Sequence, residues 1–149
     1  MKKLHEEIVI DAPRQKVWET IINKDTYEKW TKPFDENSTY EGTWQKGETL
    51  RFLGPEEDGT RSGMISKIAE MRQPEFISIK HVGMIDHDKE MLDGPEVEKW
   101  APSSENYTLT ELNDGKTKFE LDMDVEDEYQ EEFNDMWPKA LEILKELSE

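Results

Sequence analysis

At the end of the chain Phe133, Met136, Trp137, Ala140, Leu144 and Leu147 recur at helical spacing, with Leu141 and Ile143 beside them. Glu131, Glu132, Asp135, Lys139, Glu142 and Glu146 occupy the opposite side. This is the pattern of an amphipathic helix laid across a core. Running from Glu128 to Glu149 it would reach about 33 Å, enough to cross a small domain. The rest of the chain must supply an apolar surface of matching length. Pro138 falls on the polar side, where its missing N–H leaves two outcomes. Either one helix bends toward its apolar side, or a first helix ends near Met136 and a second begins at Pro138. The stripe continues through Leu147, which favours one kinked helix.

Ahead of this helix the pattern is mostly that of strands. Leu4, Ile8 and Ile10 share a face of a first strand. Asp11-Ala12-Pro13 reads as a capped helix start, followed by the apolar face of Val17, Trp18, Ile21 and Ile22. A second short helix opens at Asp25, ends on Tyr27 and Trp30, and is stopped by Pro33. From Ser38 the period becomes two. Tyr40 to Trp44 and Glu48 to Leu53 form a hairpin around Gln45-Lys46-Gly47. Arg61 to Glu70 follows a turn at Pro55–Gly59, and Phe76 to Val82 follows Gln73-Pro74. Asp86 to Lys99 is rich in acids and reads as a loop or lid. Asn106 to Leu112 and Phe119 to Val125 flank Asn113-Asp114-Gly115, a strong hairpin signal. No repeat or linker divides the chain. The expected fold is α+β: one domain over 1–149, with six to seven antiparallel strands curled around the terminal helix and two short helices closing one end. A bent sheet and a single helix leave space between them, and such a cavity is a natural binding site.

Several function classes drop out on composition. Thirty-six acidic against 19 basic residues give a formal charge of −17, which repels phosphate backbones and anionic headgroups. Nucleic acid and stable membrane association are therefore not expected. Cys is absent, which excludes disulfides, thiolate catalysis and Cys-based zinc sites. The first ten residues have no apolar segment of a secretion signal, and no run approaches the ~18 residues of a membrane span. The expectation is a cytoplasmic monomer. The sequons at Asn37-Ser38-Thr39 and Asn106-Tyr107-Thr108 are then coincidental.

Ile10-Asp11-Ala12-Pro13 with Val17-Trp18, then Trp30, Gly63 ahead of Met64–Ile68, and Trp137 with Leu141, Leu144 and Lys145 resemble the START-like (SRPBCC, helix-grip) superfamily. Within it, the group named for the activator of the heat-shock-protein ATPase is the most similar. The resemblance spans essentially the whole chain and rests on folding positions. It implies a hydrophobic pocket between sheet and long helix for lipids, polyketides or aromatic metabolites, and it brings no shared catalytic residue.

The candidate cavity lining is Met64, Ile79, His81, Tyr107, Met123, Phe133, Met136 and Trp137, with Trp100 contributed by the lid. Large apolar residues at these spacings are also ordinary core residues, but the concentration of Met and aromatics suits an adaptable pocket. His81 is the polar member best placed for acid–base work or ligand bonding. No nucleophile or orienting acid stands near it at a telling spacing. Asp86-His87-Asp88 with Glu90 could hold a divalent ion, yet reads better as a solvated acidic loop. No cofactor or metal is expected. The leading reading is non-catalytic binding of a small hydrophobic molecule, with a polyketide cyclase-like enzyme and a protein-interaction or co-chaperone-like module as the alternatives.

Overall fold

Alternation puts Phe119, Leu121, Met123 and Val125 on one face of β8 (Thr117–Val125), and all four are buried. The same period sets the inner faces of the other strands. The computed structural model describes residues 1–149 and orders the elements as β1 (Lys2–Ile10), α1 (Arg14–Ile22), α2 (Lys24–Trp30), β2 (Thr39–Gly42), β3 (Thr49–Pro55), β4 (Arg61–Arg72), β5 (Phe76–Asp86), β6 (Lys89–Met91), α3 (Pro95–Glu98), β7 (Ser103–Glu111), β8 and α4 (Gln130–Ser148). A 3-10 turn at Asp127–Tyr129 leads into α4. The fold is α+β, as the sequence implies.

All strand pairings are antiparallel in the order β1-β8-β7-β5-β4-β3-β2, with β6 added alongside β5. Leu4 and Ile10 of β1 share one core with Tyr40 of β2 and with Trp137, Ala140, Leu141 and Leu144 of α4. β1 packs on α4, α4 on α2 and α2 on β2, so the two ends of the sheet are joined through these helices and the sheet bends around them.

α4 is a single helix containing Pro138, whose exposed position leaves the unmade hydrogen bond on the solvent side. Its buried stripe is Trp137, Ala140, Leu141, Leu144 and Ser148. Leu141 thus lies at the centre and Met136 and Leu147 at the margins, a rotation of the expected face. The apolar run from Met136 to Leu147 admits both stripes, and packing against β1, α1 and α2 selects one.

Two side chains close the C-terminus of α1 where its carbonyls lack helical partners. Trp30 Nε1 donates to the Ile21 carbonyl at 3.2 Å and Tyr40 OH to that of Ile22 at 2.5 Å. At the other end of α1 the expected Asp11 cap is not formed, because Pro13 itself occupies the cap position. Asp11 instead donates its backbone N–H to the Glu149 carboxylate at 2.8 Å, tying α4 to the start of α1.

Two bulges interrupt the central ladder of β4 and β5, between Ile65 and Ser66 and between Ile68 and Glu70. At the first, Ser66 pairs with His81 and Ile65 with Gly83, so Val82 is the extra residue. The shift brings Met84 to the inner face and sends Ile85 outward, where it joins Leu53 and Ile65 in a separate small cluster. Gly63 allows β3 to approach, since a Cβ there would lie 1.7 Å from the Phe52 carbonyl oxygen.

The stretch expected to be a loop or lid, Asp86 to Lys99, is more ordered than its composition suggests. β5 continues to Asp86, turns through left-handed His87 and Asp88, and returns as β6. Its acids act as ties: Asp88 accepts from the Arg61 amide at 2.9 Å, and Glu90 holds Arg51 through two bonds of 2.9 and 3.3 Å. α3 then buries Val97. Trp44, expected to end a strand, lies beyond β2 and packs on Tyr40 and Phe52.

Candidate functional site

Between the inner face of the sheet and the first half of α4 lies a cavity of about 550 Å³. Its walls come from β3, β4, β5, β7 and β8, from α2 and the segment after it, and from Trp100. Phe133 and Trp137 of α4 form the opposite wall. Aromatic rings dominate: Trp137 lies 4.8 Å from Phe34, 6.0 Å from Trp30 and 6.2 Å from Tyr107 between ring centroids.

Of the expected lining, Met64, His81, Trp100, Tyr107, Met123, Phe133 and Trp137 are brought together here. Ile79 and Met136 are not. Ile79 is 1% exposed, held in the core between Ile68 on β4 and Glu105 on β7. Met136 lies half-buried at the edge of α4, beside the stripe centred on Leu141.

The cavity contains a polar group that sequence spacing conceals. Ser66 Oγ lies 2.7 Å from His81 Nδ1, and His81 Nε2 lies 3.0 Å from Glu105 Oε1. Tyr107 OH donates a short hydrogen bond to the other oxygen of Glu105. His81 therefore has an orienting acid, contrary to the sequence reading. Glu105 is 24 residues away and arrives from the neighbouring strand, so no local motif announces it. The available signal was the inward phase of β7: Glu105 alternates with Tyr107 and Leu109, both buried.

Burial raises the Tyr107 phenol well above its usual range, and the negative charge of Glu105 adds to this. Tyr107 is accordingly a fixed donor. Tyr27 is raised in the same way, by burial first and then by Glu105. The Ser–His–Glu order is that of a hydrolytic triad, but Ser66 has 0% exposure and lies behind His81, where no substrate carbonyl can reach it. The chemistry left to the group is hydrogen bonding and proton transfer through Glu105.

His87 bonds Asp86 at 2.7 Å and approaches Glu56 at 3.6 Å, which makes it part of an exposed hairpin. Ligand atoms of His5, Glu7 and Glu120 converge on the outer face of β1 and β8. There His5 is already bonded to Asp122 at 2.7 Å, and Lys118 lies 3.7 Å from Glu7. No helix is long and apolar enough to cross a membrane.

A bent antiparallel sheet gripping a long C-terminal helix above an aromatic cavity defines the START-like, helix-grip class. The chain belongs to the family described as Activator of Hsp90 ATPase homolog 1-like protein, whose model matches residues 11–149. No curated protein gives a significant sequence match. Among solved structures, MLL2253 from Mesorhizobium loti is 17% identical with a TM-score of 0.69, over 98% of this chain and 96% of that one. NE0264 from Nitrosomonas europaea is 13% identical with a TM-score of 0.71, over 97% and 92%. The Aha1 dimer from Colwellia psychrerythraea is 18% identical with a TM-score of 0.70, over 98% and 95%. At these identities the likeness is one of fold.

Proposed function

We propose that this chain is a non-catalytic binding protein that seats a small, mainly hydrophobic molecule between its sheet and α4. The observation that carries the reading is the cavity of about 550 Å³, left open inside a protein with aromatic residues on every side of it. That volume lies within the range of small-molecule sites. The lining pairs rigid rings with Met64, Met84 and Met123, a combination that accommodates flat or irregular ligands. Residues 1–149 act as one domain in this reading, in the cytoplasm and as a monomer. The net charge of −17 disfavours nucleic acid and anionic membranes as partners. The test is native mass spectrometry of gently purified protein, solvent extraction, and titration with a solvatochromic dye. A co-purifying hydrophobic compound, or dye binding lost on truncation of Trp137, supports the reading. A clean mass together with no dye binding overturns it.

The His81–Glu105–Tyr107 group favours one second reading, proton transfer on a bound polyketide-like molecule. It requires turnover that disappears in His81→Ala while ligand binding persists.

A further inference from the structure

The chain carries 19 Lys and Arg, yet none is among the 28 residues that line the cavity. Nine of those residues are aromatic. Three carboxylates, Asp35, Glu126 and Glu132, stand at the mouth, and Glu105 lies inside. Asp35 is placed at the mouth by close packing, since a Cβ on Gly54 would meet its Oδ2 at 2.2 Å. Asp124 also borders the cavity, but its carboxylate is bonded to Lys3 and to the Ser104 amide.

An anionic ligand would find no free cation here. His81 is held at both ring nitrogens by Ser66 and Glu105. The Met1 amine at the mouth lies 3.9 Å from Asp127. Two neutral donors are occupied, Trp30 Nε1 by the Ile21 carbonyl and Tyr107 OH by Glu105, and those left, such as the Tyr27 hydroxyl, carry no charge to offset an anion. Trp137 Nε1 has no acceptor, but it is completely covered.

A cation meets the opposite situation. The two oxygens of Glu105 receive one bond each from His81 and Tyr107, and a carboxylate has room for about four. Aromatic rings adjoin that position: Phe52 lies 6.2 Å from the His81 ring and stacks on Tyr27 at 6.0 Å, and Tyr107 reaches Glu105 through its hydroxyl, so a cation there has π systems beside it. We infer that the ligand of this cavity is a hydrophobic organic cation, an aryl- or alkyl-amine whose charged nitrogen sits against Glu105. This rests on the cavity being a ligand site. The acidic mouth then draws such a ligand inward and turns fatty acids and other lipid anions away.

Three probes of matched shape test the inference by calorimetry at neutral pH: 1-naphthylmethylammonium, 1-naphthalenemethanol and 1-naphthoate. The expected order is ammonium tighter than alcohol by at least about tenfold, with naphthoate weakest. Glu105→Gln should remove that preference and leave the alcohol's affinity within about threefold. In the unmodified protein, nuclear Overhauser contacts should link the ammonium probe's methylene to the rings of Tyr27 and Tyr107, a check that needs no variant to fold. Equal affinities, a preference for naphthoate, or a preference that survives Glu105→Gln would overturn the inference while leaving the cavity a binding site. Failure of all three probes to bind would remove the cavity reading itself.

Discussion

His81 and Glu105 bond diagonally across the β5–β7 ladder: His81 is registered with Ser103 and Glu105 with Ile79, yet Nε2 and Oε1 are 3.0 Å apart. Diagonal neighbours in a sheet are within reach of long side chains, and here that reach turns two largely covered side chains into one unit. Tyr107 completes it from the same strand as Glu105. Tyr107→Phe removes one donor from a carboxylate with little water around it. Urea denaturation should show a loss of about 1 kcal/mol, with ring packing intact. An unchanged midpoint would mean that solvent replaces the phenol at no penalty.

Trp137 is 2% exposed and packs on Trp30, Phe34 and Tyr107. Trp137→Ala should destabilise the protein by about 3–5 kcal/mol, because the rings around it cannot collapse into the space left behind. Thermal unfolding followed by far-ultraviolet circular dichroism reads this directly. A loss under about 1 kcal/mol would show that the helix face is not held by this residue.

Gly63→Ala would set a methyl group 1.7 Å from the Phe52 carbonyl oxygen, a backbone atom that cannot rotate away. The β3–β4 ladder must part locally, at a cost of about 3 kcal/mol, the upper end for overpacking. Hydrogen exchange should show the amides of Leu53 and Gly63 losing protection before those of β7 and β8.

Hydrogen bonds to Glu7 and then Asp122 push His5 up to about 8. Its unfolded value lies near 6.5, so the folded state holds the proton more tightly. The associated stabilisation is complete below pH ~6.5 and fades as pH rises through about 8. The side chain is 47% exposed, which keeps the effect small. His87 is raised as well, by its bond to Asp86, and adds a contribution of the same sign. Nuclear magnetic resonance should place the His5 midpoint near 8, and His5→Gln should flatten part of the decline in stability between these limits. A midpoint at or below 6.5 would rule out the Glu7 and Asp122 bonds in solution.

The terminal helix, the hairpin at Asn113-Asp114-Gly115 and the inner face of β8 are legible in the sequence because each carries its own period or turn chemistry. Leu141 as the centre of α4 is not, since adjacent apolar stripes on one helix differ only in what they pack against. β6 and the turn at His87 are hidden because acids that suggest a solvated loop are used to bond Arg51 and the Arg61 amide. Glu105 is hidden more deeply. Its relation to His81 depends on how β5 and β7 align after the whole segment from His87 to Pro102, and no local pattern encodes that alignment. The apolar part of the cavity is readable from alternation, whereas its charge is a property of tertiary register.

The bulge at Val82 has a kinetic meaning. Beyond it, Ile85 of β5 packs with Leu53 of β3 and Ile65 of β4, three residues that form no part of the main core. That end of the cavity wall has its own small foundation, and a foundation of that size opens at a lower free energy than the 23-residue core. Gly83 and Met84 are held there by their ladder to Ile65 and Met64 of β4, with Met91 of β6 on the far side of Met84. The amides of this corner should therefore exchange with solvent before those of α4, and trimming Ile65 or Ile85 to Val should widen that gap while the helix stays protected.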